Sequence, residues 1–187
     1  MKKEVEVKVR VESLDGFMAK LTEQGFEIGE SIRQDDMLFI NYEGDFLAFP
    51  EGANYLRIRQ QKKGEGDAAV EKSFFTLKRG EEMATIERET EIANPASMRD
   101  ALLYMGYREV VRVIKARRKA KHGEYEICID DVEGLGKFIE VEKMTEQDPA
   151  VAQAELLALL ETFGVDIKER VMNGYDTLMY KKLNGIA

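Results

Sequence analysis

A chain of 187 residues is long enough for one domain with a sizeable hydrophobic core. Its formal net charge of -8 at pH 7 argues against general binding to nucleic acids or to acidic membrane surfaces. The single cysteine, Cys128, excludes an intramolecular disulfide and a cysteine-based zinc cluster, and the single histidine, His122, gives a nucleophilic triad little support. The chain has no apolar run that could span a bilayer and no signal peptide, so we expect a cytoplasmic protein.

Valine alternates with charge from Lys3 to Val11, which predicts a β-strand. The valines would occupy one face of this strand, and the other face would carry Glu4, Glu6, Lys8 and Arg10. Two carboxylates followed by two cations suit a hard metal ion beside an anion, because Mg²⁺ prefers oxygen ligands and phosphate oxygens prefer Lys or Arg. Taken alone, the stretch fits a solvated strand face equally well.

A first helix is predicted after Ser13, with apolar residues at Leu14, Phe17, Met18 and Leu21 and an end at Gly25. A strand follows from about Ile28 to Asn41. Three further strands are predicted over residues 55–60, 73–78 and 85–92, and the first of them carries Arg57 and Arg59 on one face.

A second helix begins at Asn94-Pro95, since proline is favoured at the first helical position, and it ends at Gly106. The next strand, from Arg108 to Lys121, carries Lys115, Arg117 and Lys119 at a spacing of two. Strands over 125–130 and 137–142, a third helix from Asp148-Pro149 and a short helix over 175–182 complete the chain. The order is strand, helix and three strands, twice, followed by terminal helices. Short connections between sequential strands indicate an antiparallel sheet.

The amphipathic helices need an apolar surface, so they must cover the valine-type face of the sheet. The charged face then either meets water in an open sheet or lines the lumen of a closed barrel. About eight antiparallel strands are enough for closure, which also removes exposed edges. Unpaired charges in a lumen would cost several kcal/mol each unless a metal and an anion fill it. We predict an α+β fold: a closed antiparallel β-barrel of about eight strands, with a polar charged lumen and helices packed on the outside.

Several motifs together resemble the CYTH superfamily, the triphosphate tunnel metalloenzymes, over nearly the whole chain. They are Glu4-Val5-Glu6-Val7-Lys8, Leu56-Arg57-Ile58-Arg59, Thr76-Leu77-Lys78, Lys115-Ala116-Arg117 and the block from Ile129 to Glu142. The resemblance implies a single CYTH-like domain over residues 1–187. The family includes class IV adenylyl cyclases, thiamine triphosphatases and inorganic triphosphatases.

The resemblance also implies one or two Mg²⁺ or Mn²⁺ ions and a triphosphate-containing small molecule as ligands. The implied metal ligands, direct or through water, are Glu4, Glu6, Asp130, Glu140 and Glu142. The implied triphosphate-binding residues are Lys8, Arg57, Arg59, Lys78, Lys115 and Arg117, and Arg10 and Lys119 lie on the appropriate faces. Glu4, Glu6 and Lys8 are the expected catalytic residues.

Two motifs depart from the family pattern. The family often shows R-x-E-x-E in its fifth strand, whereas Glu87-Arg88-Glu89-Thr90-Glu91 puts the arginine on the opposite face. The usual D-x-Y motif is reduced to Asp36-Met37-Leu38. The first departure puts the choice of substrate in doubt and leaves the role of Glu87, Glu89 and Glu91 open.

The same set of residues supports two reactions. In a triphosphatase, water attacks the terminal phosphorus; in a class IV adenylyl cyclase, the ribose 3′-hydroxyl attacks the α-phosphorus and pyrophosphate leaves. No adenine-reading motif decides between them. A non-catalytic polyphosphate- or nucleotide-binding module is the alternative, but an anion binder gains nothing from acidic ligands such as Glu4, Glu6, Glu140 and Glu142. A structural module with a solvated sheet face, and a homodimer, also stay open.

Overall fold

The computed structural model describes residues 3–50, 52–81 and 84–186, and the side chain of His122 lies outside the described part. The described residues form an α+β fold with nine β-strands and four α-helices. The strands are β1 (Lys3–Val11), β2 (Glu27–Ile28), β3 (Ile32–Ile40), β4 (Asn54–Lys63), β5 (Val70–Glu81), β6 (Ala84–Glu91), β7 (Arg108–His122), β8 (Tyr125–Val132) and β9 (Gly136–Thr145). The helices are α1 (Asp15–Glu23), α2 (Pro95–Tyr104), α3 (Pro149–Thr162) and α4 (Tyr175–Leu183). No helix in the described part is long and apolar enough to cross a membrane.

The chain divides into two compact units. The first unit comprises Met1–Ser31 and Ala116–Met172, and the second comprises Ile32–Lys115 and Asn173–Ala187. Strand β7 therefore contributes residues 108–115 to the second unit and residues 116–122 to the first. The predicted single domain over residues 1–187 stays a prediction.

In the first unit, the strands follow the order β1-β9-β8-β7, and the short β2 pairs with β7. The valine face of β1 is at most 2% exposed at Val5, Val7 and Val9. These valines belong to one apolar core with residues of α1 and α3, including Phe17, Leu21, Leu156 and Leu160. Each fully buried aliphatic side chain contributes about 1.5–3 kcal/mol to folding. The predicted packing of helices on the valine face is thus confirmed for this unit.

In the second unit, the strands follow the order β7-β3-β4-β5-β6. Strands β3 and β4 are antiparallel, with Met37 opposite Ile58. Leu102 of α2 packs on the apolar face of these strands in a core with Met37, Phe39, Leu56 and Ile58. Asn94 caps α2 by accepting a hydrogen bond from the backbone N–H of Ser97 at 2.9 Å, as its position before Pro95 predicts.

Two local predictions were wrong. The strand predicted from Ile28 to Asn41 is two strands, β2 and β3, because the short β2 pairs with β7 of the first unit while β3 pairs with β4 of the second. Helix α1 has Leu14 rather than Ser13 at its N-cap, and no side chain caps it there. Ser13 Oγ instead accepts a hydrogen bond from the N–H of Asp15 at 3.3 Å.

The remaining element order matches the prediction of strand, helix and three strands, twice. The α+β class and the antiparallel pairing are confirmed as well. Closure into a full barrel around a polar lumen stays a prediction.

Candidate functional site

An acidic row crosses the sheet of the first unit. Glu6 of β1 stands opposite Glu142 of β9, and Glu142 stands opposite Glu126 of β8. Carboxylate oxygens of Glu4, Glu6 and Glu142 lie within 4.8 Å of one another. Like charges directly opposite each other destabilise a sheet, so this arrangement favours a cation among them. Oxygen donors at this spacing fit a hard divalent cation such as Mg²⁺ or Mn²⁺.

Glu142 and Glu126, which are neighbours in the acidic row, have pKa values shifted in opposite directions. Burial, together with the nearby carboxylates of Glu4 and Glu126, raises the pKa of Glu142 to about 8. Burial would also raise the pKa of Glu126, but hydrogen bonds from Lys119 and Lys121 outweigh it and lower that pKa to about 2. Glu142 therefore retains a proton at neutral pH that a bound cation would displace.

A buried ion network lies beside the acidic row. Lys8 Nζ is 3.0 Å from Glu140 Oε1, and both side chains are less than a tenth exposed. The Arg117 guanidinium donates two hydrogen bonds to Asp130, at 2.7 and 2.5 Å, and one to Glu140. Burial alone would lower the pKa of Arg117, but Glu140 and Asp130 raise it well above its ordinary value. In the structure, Asp130 and Glu140 thus bind cationic side chains, and their role as metal ligands stays a prediction.

Arg10 and Lys119, the two further residues considered for triphosphate binding, lie at different places in the first unit. Arg10 is exposed, donates a hydrogen bond to the carbonyl oxygen of Leu135 at 2.5 Å, and lies 4.7 Å from the ring centroid of Phe138. Lys119 binds Glu126 in the acidic row. Lys119 is therefore part of the row, whereas Arg10 packs on the Phe138 ring.

Sequence reasoning missed Glu126 of the acidic row and the neighbouring Cys128 as candidate site residues. Their side-chain atoms and a Glu142 oxygen lie within 4.8 Å of one another. Burial raises the pKa of Cys128 to about 12, so the side chain stays a thiol. The available signal was the alternation of Glu126, Cys128 and Asp130 at every second position of β8, because these residues share a strand face.

In the second unit, Asp36 holds two of the predicted phosphate-binding cations. It accepts two hydrogen bonds from Arg59, at 2.6 and 2.7 Å, and its Oδ2 is 3.7 Å from Lys115 Nζ. Burial would raise the pKa of Asp36, but Arg59 and Lys115 hold it well below its usual value. The sequence marked Asp36 only as part of a reduced motif. Its role follows from the register, which places Asp36 opposite Arg59.

A second cluster of the same unit surrounds Arg57. Its Nη2 donates hydrogen bonds to Thr76 Oγ1, Glu87 Oε1 and Glu89 Oε2, at 3.2, 3.0 and 3.1 Å. Lys78 Nζ is 2.9 Å from Glu87 Oε2. Burial would raise the pKa of Glu87, but Lys78 and Arg57 lower it below its ordinary value. Cations and carboxylates are therefore paired in this cluster.

The balance of charge differs between the two units. In the first unit, carboxylates outnumber cations among the clustered residues just described, whereas in the second unit Arg57, Arg59, Lys78 and Lys115 outnumber Asp36, Glu87 and Glu89. The first arrangement suits a cation, and the second suits an anion.

The sequence profile of the CYTH domain matches residues 2–175. This chain belongs to the CYTH domain family.

Three similar proteins carry further information. A protein of Methanocaldococcus jannaschii, described as a putative adenylate cyclase, is 28% identical over 181 residues, which cover 92% of this chain and 95% of that protein. The PH1819 protein of Pyrococcus horikoshii has a structure similar to this one, with a TM-score of 0.77, 28% identity and coverage of 95% and 99%. A Hippeastrum protein, described as a putative adenylyl cyclase with a dominant triphosphatase activity, has a TM-score of 0.61 at 18% identity, with coverage of 100% and 97%.

Proposed function

We propose that this protein is a divalent-metal-dependent enzyme that acts on a triphosphate. The substrate class comprises nucleoside triphosphates, thiamine triphosphate and inorganic tripolyphosphate. The reaction is either triphosphate hydrolysis or the class IV adenylyl cyclase reaction, from ATP to cyclic AMP and pyrophosphate. The main support is the acidic group of Glu4, Glu6 and Glu142, whose oxygens lie within 4.8 Å of one another in a member of the CYTH family.

The acidic group would hold Mg²⁺ or Mn²⁺. When bound, such a cation withdraws negative charge from phosphoryl oxygens. The Glu142 carboxyl would give up its proton to hold the cation, and Lys119 and Lys121 keep Glu126 ionised beside it. A triphosphate carries about four negative charges near neutral pH, so a metal and several fixed cations are needed to hold it away from water.

The basic residues would bind and orient the phosphate groups. Asp36 fixes the Arg59 guanidinium and draws Lys115 towards it, so less conformational freedom is lost when the two cations bind a phosphate. Lys8 and Arg117 are held in the same way by Glu140 and Asp130. Catalysis then depends on positioning and on neutralisation of charge, as in other phosphoryl transfers.

The similar proteins support both reactions. The Methanocaldococcus jannaschii protein is described as a putative adenylate cyclase, whereas the Hippeastrum protein is described as a putative adenylyl cyclase with a dominant triphosphatase activity. Both reactions need the same charged residues and differ in which phosphorus meets the nucleophile. The predictions of a cytoplasmic location and of a homodimer stay predictions.

The deciding experiment is incubation of the purified protein with ATP, thiamine triphosphate and tripolyphosphate, each with Mg²⁺ or Mn²⁺. Cyclic AMP with pyrophosphate identifies a cyclase, and released phosphate identifies a triphosphatase. A parallel set without metal and with a chelator should give no product. If all substrates are bound and none is turned over with either metal, the protein is a binding module and the proposed enzyme function is wrong.

A further inference from the structure

The guanidinium of Arg57 has an uneven set of partners. Its Nη2 donates to three oxygens, of Thr76, Glu87 and Glu89, whereas its buried Nε has no acceptor among the described residues. On the same strand face, Arg59 uses both Nε and Nη2 to bind Asp36. A two-oxygen anion normally engages an arginine through two parallel hydrogen bonds, as Asp36 does. The Nε–H of Arg57 is therefore a hydrogen-bond donor still available to an oxyanion.

Strand register explains why carboxylates lie beside Arg57. Thr76 of β5 stands between Arg57 of β4 and Glu89 of β6, and Lys78 stands opposite Glu87. Residues directly opposite each other in a sheet share a face, so both glutamates face the same cations. The position of these glutamates is thus built into the pairing of three strands.

The two kinds of side chain differ in their access to water. The Arg57 side chain is 10% exposed, whereas those of Glu87 and Glu89 are 31% and 38% exposed. The carboxylates can turn into solvent, whereas the guanidinium stays buried and needs a counter-charge in their place. An arriving anion would therefore replace the carboxylates and leave the cation in place.

We propose that Glu87 and Glu89 are specificity-determining residues, whose carboxylates occupy the position beside Arg57 and Lys78 that a phosphate group takes in the bound state. This inference rests on the proposed function and goes beyond it by stating which phosphate compounds the cluster around Arg57 selects. A single phosphate brings about two negative charges, no more than the two carboxylates that it must replace. A triphosphate brings about four and has further groups for Arg59 and Lys115. The glutamate pair thus weakens the binding of monophosphates more than that of triphosphates.

Glu91 offers a matched control on the same strand and the same face. It forms an ion pair with Lys72 at 3.1 Å, and both side chains are more than half exposed. Exposed ion pairs of this kind contribute little to the stability of the fold. Glu91→Gln removes the same charge from the same strand, but from a glutamate that pairs with Lys72 instead of Arg57 or Lys78.

The test compares the wild type, the double variant Glu87→Gln/Glu89→Gln and Glu91→Gln by calorimetry in metal-free buffer with a chelator. Inorganic phosphate and tripolyphosphate are the two probes. The double variant should bind phosphate about tenfold more tightly than the wild type, as expected for a gained charged hydrogen bond. The gain for tripolyphosphate should be smaller, so the selectivity ratio falls. Glu91→Gln should keep the wild-type ratio, and adding Arg57→Ala to the double variant should abolish the gain.

The inference is overturned if the double variant and Glu91→Gln have the same selectivity ratio, even where the wild type turns over triphosphates. If the wild type turns nothing over but the double variant still gains affinity for phosphate, the proposed function fails and the inference stands. Far-UV circular dichroism checks that each variant folds. If the double variant does not fold, the single variant Glu89→Gln is measured with the same two probes and the same criteria.

Discussion

Glu142 should make the metal-free protein less stable as the pH rises. Its pKa of about 8 in the folded state exceeds the ordinary glutamate value of 4.5, so the folded protein holds this proton more tightly than the unfolded chain does. The resulting stabilisation is complete below about pH 4.5 and is lost as the pH rises through about 8. Glu126 has no effect in this window, because its pKa is lowered and its contribution is lost only under acidic conditions.

The size of the effect follows from the shift. At about 1.4 kcal/mol for each pKa unit, a rise from 4.5 to about 8 sets an upper limit of about 5 kcal/mol. The Glu142 side chain is partly exposed, and water screens its repulsion from Glu4 and Glu126. We therefore expect a loss of about 2 kcal/mol in the free energy of unfolding between pH 5 and pH 8.

Glu142→Gln removes the ionisation and keeps the size of the side chain. Urea unfolding followed by circular dichroism, at several pH values with a chelator, should show that the variant lacks this loss. Glu161→Gln, which removes an exposed carboxylate of α3, should behave like the wild type. Mn²⁺ should flatten the pH dependence of the wild type, because the cation replaces the proton. Equal pH dependence in wild type and Glu142→Gln, with no response to Mn²⁺, would refute the reasoning.

Three further substitutions test the acidic row at a second residue and the clusters around Arg57 and Asp36. Glu6→Gln should abolish metal-dependent turnover and leave thermal unfolding unchanged, since this side chain is half exposed; unchanged turnover would remove the argument for the metal. Arg57→Ala should weaken triphosphate binding about tenfold or more in calorimetry, the loss expected for a charged hydrogen bond. Equal affinity in this variant would count against phosphate binding by the cluster around Arg57. Asp36→Asn should lower the free energy of unfolding by about 3–5 kcal/mol in urea, because Arg59 and Lys115 would lose a buried counter-charge. A decrease of less than about 1 kcal/mol would contradict this account of Asp36.

Local patterns in the sequence were enough to predict most of the elements. The alternation in β1 predicts both its buried valines and its charged face, because successive side chains of a strand point to opposite sides. Asn94-Pro95 and Asp148-Pro149 mark the starts of α2 and α3 for an equally local reason, since a polar side chain caps the first backbone N–H groups. The break between β2 and β3 was missed because β2 pairs with β7, far away in the sequence, whereas β3 pairs with the next strand, β4.

The sequence by itself determined which residues carry charge and which strand face each one shares. Only the tertiary structure decided which charges meet: Glu142 with Glu4 and Glu126, Asp36 with Arg59, and Glu89 with Arg57. Those meetings depend on strand order and register, which arise from contacts between distant segments. A shift of one residue in any of these pairings would turn the side chain to the other face of the sheet. Partner choice, and with it the pKa values and selectivity of these clusters, is therefore a property of the folded sheet.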